Sequence, residues 1–254
     1  MKAFDLSGKV AIVTGGNGGI GLGMARGIAR AGGQVAVVGR NTAKNTAAVA
    51  DLEALGAKCL AIEADLVDDD QCRALVEKAA THFGRVDILV NNAGTALRKQ
   101  PQDYTMQEWR RIIDTNLSSA FACSQAAYPY LKAAGGGKII SIGSVMSVMG
   151  ASFAVAYAAS KGGIVQMTRA LATAWGADNI QVNALLPGWI DTDLTKGARR
   201  EVAGLNERVL GRTPAGRWGS PEDFAAITVL LCGSGSQYIT GAAIPVDGGY
   251  TIQA

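Results

Sequence analysis

Tyr157 and Lys161 stand four residues apart in the run Tyr157-Ala158-Ala159-Ser160-Lys161. On a helix that spacing puts both side chains on one face. A phenol left alone titrates near pH ~10, but a cation held beside it favours phenolate and brings its proton within reach of neutral-pH acid-base chemistry. Upstream, Ser144 follows the apolar run Lys138-Ile139-Ile140-Ser141-Ile142-Gly143, which reads as a buried strand. A hydroxyl at that strand end can hydrogen-bond a reacting oxygen. The same tyrosine and lysine would be ordinary on a helix surface, so the pair takes its meaning from the elements that hold it.

Those elements alternate. Lys9 to Thr14 is a β-branched strand that runs into Gly15-Gly16-Asn17-Gly18-Gly19-Ile20-Gly21 and then a helix from Leu22 to Ala31. Glycines at 15, 19 and 21 let a backbone turn tightly against a pyrophosphate, whose charge is favourable at a helix amino end. A second strand, Gln34 to Asn41, ends nineteen residues past Gly21 at Arg40. A dinucleotide fold places there an acid for NAD or an arginine for NADP. A guanidinium can grip a 2′-phosphate, so Arg40 favours NADP and leaves NAD possible, while a plain surface arginine fits the same spot.

A helix from Thr42 to Leu55 precedes a third strand, Lys58 to Ile62, after which Asp65 and Leu66 can meet an adenine edge. Asp68-Asp69-Asp70 reads as a solvated helix start and not as a metal site. The fourth strand, Val86 to Val90, leads into Asn91-Asn92-Ala93-Gly94, where amides can tie strands together and small residues let a flat ring approach. A long helical segment from about Met106 to Ala134 carries Asn116, mildly unfavourable in a helix interior. Ile180 to Leu186 reads as the sixth strand, ended by Pro187-Gly188.

Composition narrows the function classes. The chain has 254 residues, 48% of them hydrophobic and 18% charged, which suits one α/β domain with a sizeable core rather than a disordered chain. A formal charge of +3 without a basic stripe argues against nucleic acid as a partner. Cys59, Cys72, Cys123 and Cys232 are scattered without metal-ligand spacing, and His82 is the single histidine, so no metal is expected. The amino terminus, Met1 to Leu6, lacks a signal-peptide core and no run has membrane-spanning length; a cytoplasmic protein away from membranes is the expectation.

Taken together, Thr14-Gly15-x-x-x-Gly19-Ile20-Gly21, Asn91-Asn92-Ala93-Gly94, Asn116, Ser144, Tyr157-x-x-Ser160-Lys161 and Pro187-Gly188-x-x-x-Thr192 resemble the motifs of the short-chain dehydrogenases/reductases, in order and spacing over nearly the whole chain. The resemblance implies an α/β fold of Rossmann type: a doubly wound, mainly parallel sheet of seven strands in order 3-2-1-4-5-6-7 with helices on both faces. It also implies hydride transfer between a nicotinamide and a secondary alcohol or ketone. Tyr157 would then move the proton, Ser144 hold the oxygen, Lys161 lower the phenol pKa and bind the nicotinamide ribose, and Asn116 hold a water in the relay. Ile190 and Thr192 would face the carboxamide. One departure concerns the cofactor, because Gly18 stands where NADP-preferring members often carry a basic residue.

The same resemblance implies a single domain over residues 1–254, a substrate lid at about 190–217, and a homotetramer. From Asp193 to Arg217 the chain carries Lys196, Arg199, Arg200, Arg208 and Arg212 against Glu201 and Glu207, which suits either a lid or a solvated helical pair. Arg98 and Lys99 can pair with a sugar-acid carboxylate or face solvent, and Thr213 to Gly219 resembles the lid tail of gluconate and deoxygluconate dehydrogenases. A dehydrogenase or reductase of a sugar acid or keto acid is the leading expectation. A 3-oxoacyl thioester or cyclic-ketone reductase is the alternative, since Met146, Met149, Phe153 and Trp189 can line an apolar pocket or simply pack in the core. A catalytically silent dinucleotide-binding regulator is the alternative of another class.

Overall fold

The computed structural model describes residues 2–253; Met1, Ala254 and the side chain of Glu201, one of the lid's expected counter-charges, lie outside what it describes. Seven strands form one sheet: β1 (Val10–Thr14), β2 (Gln34–Gly39), β3 (Cys59–Glu63), β4 (Ile88–Asn91), β5 (Gly137–Ile142), β6 (Ile180–Pro187) and β7 (Ala243–Val246). Their order is β3-β2-β1-β4-β5-β6-β7 and every pairing is parallel. The sheet grows from β1 outward through β2 and β3, then in the other direction from β4, so the switch point lies between β1 and β4, where ligands of doubly wound sheets bind.

Alternation along the strands divides the core in two. Ala11, Val13, Val35, Val37, Val90 and Ile140 face one side, against α1 (Gly19–Arg30) and α9 (Ala225–Cys232). Ile12, Ala36, Val38, Leu89 and Ile139 face the other, against α3 (Asp69–Phe83) and α5 (Ser119–Ala133). A strand buried on both faces must be apolar throughout, and β1 is buried at all five positions.

The remaining helices are α2 (Thr42–Glu53), α4 (Met106–Ile113), α6 (Val155–Trp175), α7 (Asp193–Glu201) and α8 (Leu205–Arg212). The expected helix start at Asp68 is an N-cap whose carboxylate accepts from the N–H groups of Asp70 and Gln71 at 2.9 and 3.3 Å. The segment expected as one long helix is α4 and α5 joined by a π turn over Asp114–Ser118, with Asn116 inside it. Where the lid pattern loosens in sequence, α7 and α8 close a small core of Ala198, Leu205 and Val209 against Trp189 and Trp218. No helix among the described residues is long and apolar enough to cross a membrane. The four cysteines are free thiols, with Cys72, Cys123 and Cys232 buried.

Candidate active site

The glycine turn after β1 is fitted to β4 by one side chain. Asn92 donates its amide hydrogens to the carbonyls of Thr14 and Gly15 at 2.9 and 3.0 Å, while the Asn92 and Ala93 N–H groups donate to the Thr14 hydroxyl. Gly21 lies so close that a Cβ there would run into the Gly15 carbonyl oxygen and the Asn92 amide. Gly19 has φ +50°, a left-handed backbone that opens α1. Asn17 donates to Asn45 at 2.6 Å, and Asn45 in turn donates to the carbonyls of Gly39 and Ile62. Asn45 thus ties the glycine turn to the ends of β2 and β3. The sequence reading missed it, although a buried asparagine inside α2 carries the same signal that singled out Asn116.

A second group gathers where β4, β5 and α6 meet. Asn116 is 2% exposed; its Oδ1 accepts from Thr95 N–H at 2.8 Å, and its Nδ2 donates to Thr95 O at 2.9 Å and Ser160 Oγ at 3.0 Å. Ser160 Oγ donates to the Tyr157 carbonyl at 2.7 Å. The Asn116 side chain is therefore engaged in joining the loop after β4 to α6, and the π turn is what aims it there. Ser144 caps a short turn, with Oγ accepting from Met146 N–H at 3.1 Å, so its own hydrogen is left to point elsewhere. Ser147, also missed in the sequence, accepts from Ser144 N–H at 3.2 Å and donates to the Lys161 carbonyl at 2.7 Å. It holds the serine turn against the helix bearing the tyrosine and lysine.

The electrostatics depart from expectation. Burial pushes the Tyr157 phenol above its ordinary value; a hydrogen bond from Ser144 and the charge of Arg98 pull it down without cancelling the rise. Burial likewise pushes the Lys161 ammonium down to about 8. Lys161 was expected to make the phenol acidic. Its Nζ instead lies 5.7 Å from the centre of the Tyr157 ring and donates to the Ile142 carbonyl at 2.7 Å.

Two hollows share this corner. A groove of about 480 Å³ runs past Gly15, Asn17, Gly19, Ile20, Asn92, Ala93, Gly94, Ser144, Tyr157, Lys161, Pro187, Gly188, Ile190 and Thr192. A smaller cavity of about 100 Å³ lies beyond, walled by Leu97, Arg98, Val145, Met146, Phe153 and Trp189, and Ser144 and Tyr157 line both. Besides Gly21 and Asn116, which pack behind it, four expected residues stand off the groove wall. Arg40 is exposed just past β2, the Asn41 side chain caps α2 by accepting from Lys44 N–H at 2.9 Å, Asp65 accepts from Val67 N–H, and Leu66 is packed in the core. Lys99 is bound at 2.9 Å to both carboxylate oxygens of Glu108, itself part of the cap of α4. Of the two cations after β4, only Arg98 lines the cavity. Among the described residues no cluster of His, Cys, Asp and Glu is arranged to hold a metal.

Residues 15–251 match the family model described as enoyl-(acyl carrier protein) reductase. The chain is 42% identical over 251 residues to the 2-dehydro-3-deoxy-D-gluconate 5-dehydrogenase of Escherichia coli K12, covering 98% of each. It superposes with a TM-score of 0.96 and 40% identity on a structure described as a short-chain alcohol dehydrogenase from Sinorhizobium meliloti, covering 99% of this chain and 100% of that one. A structure from Beutenbergia cavernae, described as an NAD(P)-dependent gluconate 5-dehydrogenase with bound NADP, superposes with a TM-score of 0.93 at 36% identity, covering 99% and 100%. Fold, motifs and likeness over the full length agree, and the chain belongs to the short-chain dehydrogenase/reductase family.

Proposed function

We propose that the chain is an NADP(H)-dependent oxidoreductase that interconverts a secondary alcohol and a ketone on a sugar acid, as gluconate 5-dehydrogenases and 2-deoxy-gluconate 3-dehydrogenases do. The observation that carries this is the position of Ser144 and Tyr157 on the boundary between a long groove and a small cavity holding one arginine. A proton-moving group belongs at such a boundary, because the alcohol oxygen must exchange a proton as the adjacent carbon exchanges hydride.

The groove fits a dinucleotide: Gly15, Gly18 and Gly19 of the glycine turn form its wall, and the bare Gly21 lets that turn pack tightly against Asn92. Gly15, Asn17, Gly19, Ile20 and Gly21 meet the pyrophosphate, Asn92, Ala93 and Gly94 the ring beyond it, and Pro187, Gly188, Ile190 and Thr192 the nicotinamide end. Arg40 reads the 2′-phosphate beside Asn41, and Asp65 with Leu66 frames the adenine. When bound, the cofactor supplies or accepts the hydride. In oxidation Tyr157 takes the alcohol proton while Ser144 donates a hydrogen bond to the oxygen; in reduction the phenol returns it. Lys161 holds the ribose, and Asn116 positions the helix of Tyr157, leaving its main chain to meet a relay water. Arg98 receives the carboxylate. The chain works as one domain, with residues 190–217 as its lid, in a cytoplasmic homotetramer, on the likeness to the family.

The test is turnover of D-gluconate, 2-dehydro-3-deoxy-D-gluconate, a 3-oxoacyl thioester and a cyclic ketone, followed at the nicotinamide absorbance with both cofactors. Oxidation or reduction of a sugar acid is the expected result; tight NADP binding with no turnover of any compound would favour a silent regulator. Arg40→Ala should weaken NADP(H) about tenfold or more and spare NAD(H), since it removes a charge-assisted contact to phosphate alone. A second reading has one observation behind it. The cavity wall of Leu97, Val145, Met146 and Phe153 is apolar, and a tropinone reductase homolog of Arabidopsis thaliana is 40% identical over 252 residues, covering 99% of this chain and 95% of its own, so a ring ketone is the alternative the same assay decides.

A further inference from the structure

We propose that the amino-terminal edge of the sheet carries an oxyanion site: a small anion, inorganic phosphate or the carboxylate of a small metabolite, seats in the hollow beside Lys138 and supplies the counter-charge that no side chain provides. The site lies at the opposite end of β5 from Ser144 and does not depend on the sugar-acid reading.

Parallel strands bring their first residues to one edge. Lys9 precedes β1, Asp87 precedes β4, and Lys138 in β5 is paired with Ile88 of β4 on one side and Gln181 of β6 on the other. In the order β1-β4-β5-β6 these residues are neighbours, and with Cys232 and Gly233 at the end of α9 they wall a hollow of about 150 Å³. A water molecule takes about 30 Å³ in the liquid, so the hollow has room for an ion of several heavy atoms.

Lys138 is 9% exposed, and a lysine is almost never buried without a counter-ion. Among the described residues its ammonium has a single hydrogen-bond partner, Ser236 Oγ at 3.0 Å. That partner is a neutral hydroxyl whose own hydrogen is directed to the carbonyls of Leu231 and Gly233, at 2.9 and 3.1 Å. Two of the three ammonium hydrogens are left without a protein acceptor. Gln181, also buried, donates one amide hydrogen to Asn179 Oδ1 at 3.1 Å and keeps the second, a further donor on the same wall.

The neighbouring groups do not balance the charge. Asp87 is the one carboxylate on the wall among the described residues, and it is already engaged: Oδ1 accepts from Lys9 at 2.9 Å and Arg85 at 2.6 Å, Oδ2 from Arg85 at 2.8 Å and the Val10 N–H at 3.0 Å. Three cations, Lys9, Arg85 and Lys138, therefore share this edge with one carboxylate. Burial pushes the Cys232 thiol up to about 12, so at neutral pH it contributes no negative charge. Burial also pulls the Lys138 ammonium below its ordinary value, and the charge of Lys9 adds to that pull. An oxyanion would relieve both effects, through charge-assisted hydrogen bonds that gain strength away from bulk water.

The experiment is urea unfolding of the NADP-saturated protein against rising phosphate, acetate or malonate, at ionic strength held constant with sodium chloride. The ratio of folded to unfolded protein grows as one plus the ion concentration over its dissociation constant, so an ion at ten times that constant raises the ratio about elevenfold. Lys138→Met keeps an apolar stem of similar length, removes a buried charge that lacks a partner, and should lose this gain. Anions also stabilise proteins by exclusion from their surface, and any that enter the cofactor groove act there too, but both effects are common to the two proteins. The difference between them therefore reads the hollow. A larger difference with phosphate identifies a phosphate site, and a larger one with malonate or acetate a carboxylate site. Equal gains in the two proteins for all three ions would overturn the proposal.

A second measurement needs no variant. Crystals of the NADP complex soaked in phosphate, and separately in malonate, should show the ion within hydrogen-bond reach of Lys138 Nζ. An empty hollow in both overturns the proposal even where Lys138→Met does not fold.

Discussion

Around Tyr157 the positioning side chains are short and answer largely to main-chain atoms: Asn116 to Thr95, Ser160 to Tyr157, Ser147 to Lys161, Ser144 to Met146. The segment proposed as a lid, residues 190–217, is held in another way. The Arg199 guanidinium lies 3.7 Å over the Trp218 ring, Trp218 meets Trp189 edge-on at 5.6 Å, and Arg212 covers Tyr250 at 5.0 Å. A hydrogen bond to a carbonyl loses strength within a few tenths of an ångström, whereas a cation over an aromatic face tolerates sliding. The contacts of the first region suit a fixed geometry, and those of the second would tolerate the movement that the proposed lid requires.

The largest effect should come from removing the reacting atom while keeping that geometry. Tyr157→Phe leaves the helix and its contacts in place, so kcat should fall about a thousandfold with NADP affinity nearly unchanged by fluorescence titration. Substantial residual turnover would mean that another group moves the proton. Next is the frame itself. Asn116→Leu strips the partner from Thr95 and from Ser160, and leaving such groups unsatisfied costs about 2–3 kcal/mol in urea unfolding, with a parallel loss of kcat. A variant that lost stability but kept kcat would separate frame from chemistry and break the comparison.

Lys161 sharpens it from the opposite direction. Its ammonium is 4% exposed and pushed down to about 8, so from there up to the ordinary lysine value the unfolded chain holds a proton that the folded chain has released. Stability therefore rises with pH across that window, and below it the folded protein carries a buried charge. Lys161→Met removes the charge and leaves the Ile142 carbonyl without its donor, a partial offset. The variant should be inactive yet about 1–2 kcal/mol more stable at neutral pH, with the alkaline rise gone. A destabilised variant would mean that the hydrogen bond to Ile142 outweighs desolvation.

Much of this corner was legible because its signals are local. Tyr157 and Lys161 are one helical turn apart, the glycines lie within one loop, and short apolar, β-branched runs marked the strands. The failures share a cause as well: their partners are remote. Asn45 meets Asn17 from 28 residues away, and nothing near Lys99 says that Glu108 occupies it while its neighbour Arg98 lines the cavity. The sign of the Tyr157 shift was misread for a related reason. Spacing reveals that an ammonium is close, but burial, which decides the balance, is a property of the assembled core. The π turn at Asn116 was invisible because periodicity over 29 residues, from Met106 to Ala134, averages out one inserted position.

The smallest effect should appear in the proposed lid, at Arg199. Its NH2 pairs with Asp191 at 3.2 Å and its guanidinium stacks on Trp218, with the side chain 29% exposed. Partly solvated ion pairs and stacked cations contribute about 0.5–1 kcal/mol each, and Met at this position keeps an apolar stem against Trp218. Arg199→Met should therefore leave the urea midpoint almost unmoved, because the energy lost belongs to a helical pair with its own small core and not to the sheet. KM for the substrate should rise a few-fold, with kcat inside about twofold, since a looser lid admits water and product alike but leaves Tyr157 where it was. A large fall in kcat with KM unchanged would place Arg199 among the groups that fix the reacting geometry, and the division between a stiff corner and a sliding cover would have to be redrawn through the lid.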